Sequence, residues 1–259
     1  MSDSTQFRDL GRRFLPVLNQ SVTPEHVYVS NNTKTGVSIN LPIFGTCNPT
    51  AGCMKYCYAL RGPMVFGHTL VKLAENFNKF AELEGATQEI INSEALRIAS
   101  TLDKKKRNWI RWNGSGDLIP GSVRVINALA TLRPDVAQWI VSRKPEICKT
   151  LVDSPAIRLL VSTDVTTPQG RRQKLLNLRK FFKKTVVRVS YCRSSAKRVP
   201  AYASIIFNEH IGRKKNGWGD KRTCKATMPG SKAGESCESC RRCFAAAKRQ
   251  KQTKTKDLA

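Results

Sequence analysis

The sequence predicts an α/β fold of six βα units, forming a partial, TIM-like (β/α)6 barrel or a flat doubly wound sheet, followed by a C-terminal cysteine-rich, metal-binding extension. Three observations predict it. Short β-branched runs recur along the chain, most gaps between them hold a helix-length pattern, and most cysteines fall into two groups.

Residues 1–35 read as an irregular, polar leader ending in the turn-rich "SNNTKTG". The alternating "VSINLPIF" (37–44) is the first strand and ends at a cysteine stretch. Helical patterns follow at "LVKLAENFNKFAELEG" (70–85), closed by Gly85, and at "TQEIINSEALRIASTLDKKK" (87–106), with Thr87 and Glu89 near its start. The remaining strands are "NWIRW" (108–112), "AQWIV" (137–141), "IRLLVS" (157–162), "TVVRVS" (185–190) and "YASIIF" (202–207). "GSVRVINALATLRP" and "GRRQKLLNLRKFFKK" are helix-length patterns between them. Residues 36–215 therefore form the βα array, 216–247 a four-cysteine knot, and 248–259 a basic tail too poor in apolar residues to fold.

Parallel sheets bind ligands beyond the carboxyl ends of their strands. The residues just after each strand are polar: three cysteines after the first, Asn113, Gly114, Ser115, Gly116 and Asp117 after the second, and Arg143 with Lys144 after the third. Asp164 follows the fourth, "SYCR" (190–193) the fifth, and Glu209 with His210 the sixth. Small glycines let backbone approach a ligand, Asp117 can accept a hydrogen bond from an ammonium, Arg143 and Lys144 suit a carboxylate or phosphate, and Asp164 suits ribose hydroxyls. Glu209 and His210 suit proton transfer, since histidine titrates near neutrality. The bland alternatives are an ordinary turn, a helix cap, surface charge and a structural histidine.

No apolar run approaches the length of a membrane span, and the first residues lack the apolar core of a secretory signal, so a cytoplasmic, reducing setting is expected. There, nine cysteines point to metal ligation or catalysis rather than disulfides. Cys47, Cys53 and Cys57 share one loop. Three thiolates suit a [4Fe–4S] cluster with one iron left open; a zinc site completed from elsewhere and a loop of unligated thiols are the alternatives. Cys224, Cys237, Cys240 and Cys243, in "CKATMPGSKAGESCESCRRC", suit a second [4Fe–4S] cluster or a closed zinc site. Cys148 and Cys192 stand alone and read as small buried hydrophobes.

The net charge is +26 and uneven: residues 1–164 hold 20 Lys and Arg against 14 Asp and Glu, residues 165–259 hold 25 against 5. Such a field attracts nucleic acid through its phosphates. Arg213, Lys214, Lys215 and Trp218 precede the knot, and Arg241, Arg242, Lys248 and Arg249 flank it, so DNA or RNA is the expected partner. A merely solvated basic surface is the alternative. No phosphate-binding loop of the Walker type, zinc-protease motif or serine-triad pattern is present, which removes ATPase, metalloprotease and serine hydrolase as candidates.

A three-cysteine loop after strand one of a six-unit βα array, with Tyr56 just before the last cysteine, resembles the radical S-adenosylmethionine enzymes. Their loop spaces its cysteines by three and two residues; here the spacings are five and three. The resemblance implies the partial barrel, a cluster on Cys47, Cys53 and Cys57, S-adenosylmethionine on the open iron, and the 113–117 segment against its methionine amine. Through "NNTKTGVSINLPI", "TCNPTAGCMKYCYA", "RWNGSGDL" and "WIVSRKPE", residues 30–245 also resemble the gene product 88 family of phage and mobile-element proteins, a likeness that implies a host-cell cytoplasmic setting. An iron–sulfur protein that binds nucleic acid and carries out a radical or redox reaction is the leading expectation; a non-catalytic iron–sulfur or zinc protein that binds nucleic acid or senses redox state is the other.

Overall fold

The computed structural model describes residues 3–32, 36–55, 57–60, 62–193, 199–208 and the single residues Cys224, Cys240 and Cys243. Tyr56, Glu209, His210, Arg213, Lys214, Lys215, Trp218, Cys237, Arg241, Arg242, Lys248 and Arg249 lie outside the described residues.

Among the described residues seven strands form one sheet in strictly sequential order: β1 (Ser30–Asn32), β2 (Gly36–Ile39), β3 (Trp109–Trp112), β4 (Ala137–Ser142), β5 (Ile157–Asp164), β6 (Val186–Arg193) and β7 (Ile205–Asn208). β1 pairs antiparallel with β2, and every later pairing is parallel. The six expected strands are β2 to β7. Among the described residues the sheet is not closed, with β1 and β7 as its two edges, and β1 is a strand beyond the six expected. β2 also stops at Ile39, short of the run to Phe44; Pro42 lacks a donor for a ladder beyond it.

The helices are α1 (Asp3–Gln20), α2 (Ala51–Lys55), α3 (Gly67–Glu84), α4 (Gln88–Lys104), α5 (Pro120–Leu132), α6 (Pro145–Cys148) and α7 (Gln169–Phe181). α1 corrects the expectation of an irregular leader. Pro16 inside it removes one backbone hydrogen bond. That loss is offset by docking: Phe14 is buried with Val17 and Leu18 against Ile43, Leu70 and Leu73, its ring stacked 5.9 Å from that of Phe44.

Parallel neighbours are joined by right-handed crossovers, so a sequential order sends the connecting helices to one side. The core shows that side. Phe80 and Leu83 of α3, Ile91 and Ile98 of α4, Val125 and Leu129 of α5, and Leu175 and Leu178 of α7 pack on Ile39, Ile110, Trp112, Ile140, Leu159, Val161 and Val189. The alternate strand residues, Trp109, Trp139, Leu160 and Ile205, form a separate cluster on the opposite face, with Cys224 and Cys243 packed against it. Among the described residues no helix contributes to that cluster.

Candidate site at the carboxyl ends of the strands

The cysteine loop leaves β2 and turns back over the ends of β3 to β6. Thr46 begins it, donating to the carbonyl of Pro42 and accepting the Asp117 N–H at 3.0 Å. Next to it the Cys47 N–H reaches the Ile43 carbonyl at 3.1 Å. α2 then carries Cys53, and Cys57 follows it.

One polar clasp fixes this loop to β5. The Thr50 hydroxyl donates to Asp164 Oδ2 at 2.5 Å and accepts the Cys53 N–H at 3.2 Å. Thr166 donates to Asp164 Oδ1 at 2.6 Å and accepts the Gly52 N–H at 2.8 Å. Gly52 has to be small: a Cβ there would stand 3.0 Å from the Thr166 hydroxyl and 3.2 Å from the Asp164 carboxyl carbon. Arg143 completes the clasp, its Nη1 2.7 Å from Asp164 Oδ2 and 3.4 Å from Thr50 Oγ1. The pair is enclosed, with side chains 14% and 3% exposed. Burial alone would raise the Asp164 carboxyl; the hydrogen bonds from Thr166 and Thr50 and the charge of Arg143 outweigh it and hold the carboxyl below its usual range. Burial likewise works against the Arg143 cation, and Cys53 and Asp164 outweigh it to raise the guanidinium.

The segment 113–117 is a brace. Asn113 and Gly116 lie in the left-handed region, with φ of +56° and +76°. A Cβ on Gly116 would fall 2.6 Å from the Leu41 carbonyl oxygen, and one on Gly114 would run into the Asn40 side chain. Gly116 thus admits the backbone leaving β2, and Gly114 the Asn40 side chain. Ser115 donates its hydroxyl to the Leu41 carbonyl at 2.9 Å and its N–H to Asn40 Oδ1 at 3.1 Å. Asp117 is buried, and its carboxylate accepts the N–H groups of Leu118 at 2.7 Å and Arg143 at 3.0 Å. Burial raises its pKa against those bonds and that of Ser142. Lys144 turns away from the loop to the Leu118 carbonyl, 2.9 Å from its Nζ.

The three thiols are close enough to repel one another as thiolates. Burial first, then Asp117 and the other two cysteines, pushes Cys47 far up. Burial followed by Cys53 pushes Cys57 up to about 11. Burial raises Cys53 too, opposed by Arg143. A cation among them would reverse this balance, because ligated thiols ionise. Among the described residues no three His, Cys, Asp or Glu side chains are grouped to hold a single metal ion.

Cys192, expected to be a small buried hydrophobe, is only half-buried and lies near the end of β6. It lies beside Asp164 in the β5–β6 register, and burial raises its thiol to about 11, with Arg143 opposing and Asp164 and Cys53 adding. It therefore shares the neighbourhood of Cys53, half-buried at the mouth rather than filling the core. The signal was available in its position at the end of a strand. Cys148, by contrast, is buried in the main core, as expected.

Of the expected site residues, the structure brings together Cys47, Cys53, Cys57, Asp117, Arg143 and Asp164, and sets Cys224 and Cys243 on the sheet face where no described helix packs. No described helix is long and apolar enough to cross a membrane. No curated protein and no solved structure matches the chain. The sequence profile described as "Gene product 88" matches residues 18–246, and with that span covering most of its length the chain belongs to the gene product 88 family.

Proposed function

We propose that the chain is an iron–sulfur protein of radical S-adenosylmethionine-like type, with a [4Fe–4S] cluster on Cys47, Cys53 and Cys57, acting on nucleic acid drawn in by its basic C-terminal third. The observation that carries this reading is the clasp: a buried Thr50–Asp164–Arg143 network holds a three-cysteine loop over the carboxyl ends of a parallel sheet. The donor set fits, since three thiols on one loop can each take a different iron of a cubane, a wider arrangement than a single ion needs. When bound, such a cluster offers one iron without a protein ligand, the position at which S-adenosylmethionine would be held.

The chain's own residues have defined tasks in this reading. Asp164 and Thr50 set the position of Cys53, Asp117 sets the backbone of Arg143, and Arg143 places positive charge beside Cys53. Asp117 thereby acts as a positioning residue, its carboxylate being engaged inside the fold. Cys224, Cys237, Cys240 and Cys243 bind a second metal centre, a cubane or zinc, whose binding energy orders a segment with little core of its own. Nucleic acid is met through phosphates, by residues 213–215 and 241–249 among others, and binding falls steeply with salt.

A second reading is favoured by one observation, the nearness of Cys192 to Cys53 and Asp164. A fourth thiol at the mouth would close the cluster and make it a redox or structural centre rather than a catalytic one.

Anaerobic purification, with iron, sulfide and zinc measured per chain and electron paramagnetic resonance of the reduced protein before and after S-adenosylmethionine, tests both. A cluster whose spectrum changes with S-adenosylmethionine supports the first reading. A cluster indifferent to it supports the second, and an iron-free protein under strict anaerobiosis overturns both.

A further inference from the structure

The positive charge is not confined to the last residues of the chain. From residue 165 to residue 208 the sequence holds 11 Lys and Arg and no Asp or Glu, and α7 with the turn after it carries seven of the 11. α7 buries Leu175 and Leu178 against the core, which turns Gln173, Lys174, Asn177, Lys180 and Phe181 outward, all of them exposed. Lys183 and Lys184 are exposed just past the helix end.

The carboxylates of the neighbouring elements are already engaged. Glu146 takes Lys174 at 2.8 Å and Lys149 at 3.1 Å, and Asp153 accepts the main-chain N–H groups of Lys183, Lys184 and Thr185. Among the described residues neither Lys180 nor Lys184 has a carboxylate partner. A helix C-terminus favours cations in its last turn, which accounts for Arg179 and Lys180 but not for the lysines beyond it. Nor does it account for Phe181, 52% exposed, whose ring meets that of the buried Phe182 edge to face at 4.9 Å. An anchored, exposed ring among cations is what base stacking beside neutralised phosphates requires.

The same helix connects this surface to the cysteine loop. α7 follows the carboxyl end of β5, and near its start Arg171 donates to the Asn48 carbonyl of that loop at 3.0 Å. Its 13 residues span about 20 Å.

We propose that the outer face of α7 and the turn after it bind single-stranded nucleic acid, with phosphates on Lys180 and Lys184, a base stacked on Phe181, and the strand led past Asn177 and Gln173 toward the cysteine loop. The inference rests on the nucleic-acid reading above and gives it a surface apart from residues 213–215 and 241–249. DNA and RNA offer the same phosphates and stacking bases, so the test carries both.

The full chain, purified without oxygen, is titrated against a fluorescent single-stranded DNA, the RNA of the same sequence and the DNA duplex, over a range of salt. The tighter of the two single strands names the sugar. Lys180→Gln/Lys184→Gln is expected to weaken single-strand binding and to flatten the slope of log affinity against log salt by about 1.4, two contacts at about 0.7 each. Phe181→Ala should weaken it about 5- to 100-fold with the slope unchanged, and Phe181→Trp should bind at least as the parent does. Lys104→Gln/Lys105→Gln, at exposed positions at the end of α4, removes the same charge elsewhere and should leave binding unchanged. Circular dichroism checks folding, and single substitutions at Lys180 and Lys184 carry the comparison should the pair not fold. A parent chain that binds none of the probes at low salt overturns the nucleic-acid reading and this surface with it. A parent that binds while the α7 variants bind equally well overturns this surface alone. Equal loss in the Lys104 and Lys105 pair also overturns it, because net charge rather than place would be at work. A duplex bound as tightly as the single strands overturns the single-stranded assignment.

Discussion

The two cysteine groups are held to the sheet in opposite ways. The first loop is fixed by polar bonds that join its Thr50 and Gly52 to Asp164 at the end of β5, to Thr166 beyond it and to Arg143 just after β4. Cys224 and Cys243 of the second group pack on tryptophan and leucine, and the Cys224 N–H also donates to the Ile206 carbonyl of β7. A polar clasp specifies geometry, since each bond has a direction; an apolar seat gives adhesion without orientation. The first loop therefore has a fixed geometry of its own, whatever it binds.

Substitutions can break that contrast at graded cost. Asp164→Ala should have the largest effect: it strands the Arg143 cation in a buried setting and undoes the bonds of Thr50 and Thr166, for a loss of about 3–5 kcal/mol in chemical denaturation. Iron at the first site should fall with it, while metal at the C-terminal centre stays. Leu160→Ala attacks the other attachment. A cavity under Cys224 and Cys243 should cost about 2–4 kcal/mol and speed proteolysis after residue 208, with first-site iron unchanged. If either variant emptied both sites equally, the two attachments would not be independent.

Gly52→Ala is a finer probe. Its methyl presses on Thr166 and Asp164, so stability should drop by about 1 kcal/mol and cluster assembly should slow, with the C-terminal metal as the internal reference. The smallest change in stability, under about 1 kcal/mol, is expected for Cys192→Ala. Its value lies in the spectrum of the reduced cluster. An unaltered response to S-adenosylmethionine keeps the iron open; loss or change of the cluster makes Cys192 a ligand.

Much of this architecture was legible in local sequence. The runs around Ile110, Ile140, Leu159, Val187 and Ile206 are strands because β-branched and aromatic residues alternate there, and the intervening helices show their own period. α1 was hidden because Pro16 argues against a helix interior, and only the tertiary docking of Phe14 outweighs it. The cysteine loop announced itself by composition. Its clasp did not, since Thr50 and Asp164 are 114 residues apart and each reads locally as an ordinary turn residue. Cys192 was legible only as a thiol at a strand end; its place beside Asp164 comes from the β5–β6 register. The glycines of 113–117 were read as letting backbone approach a ligand; in the structure they lie against residues 38–41 of β2 and its exit.

The hydrogen bond from Cys224 to Ile206 has a consequence for handling the protein. β7 is an edge strand, and edges with unpaired backbone groups recruit strands from other chains. β1 terminates the opposite edge by reversing direction, whereas at β7 the Cys224 N–H is bonded to the Ile206 carbonyl. If the C-terminal cysteines bind metal as proposed, chelators in the lysis buffer should uncover that margin and drive aggregation, which light scattering during metal removal would register before any assay of function.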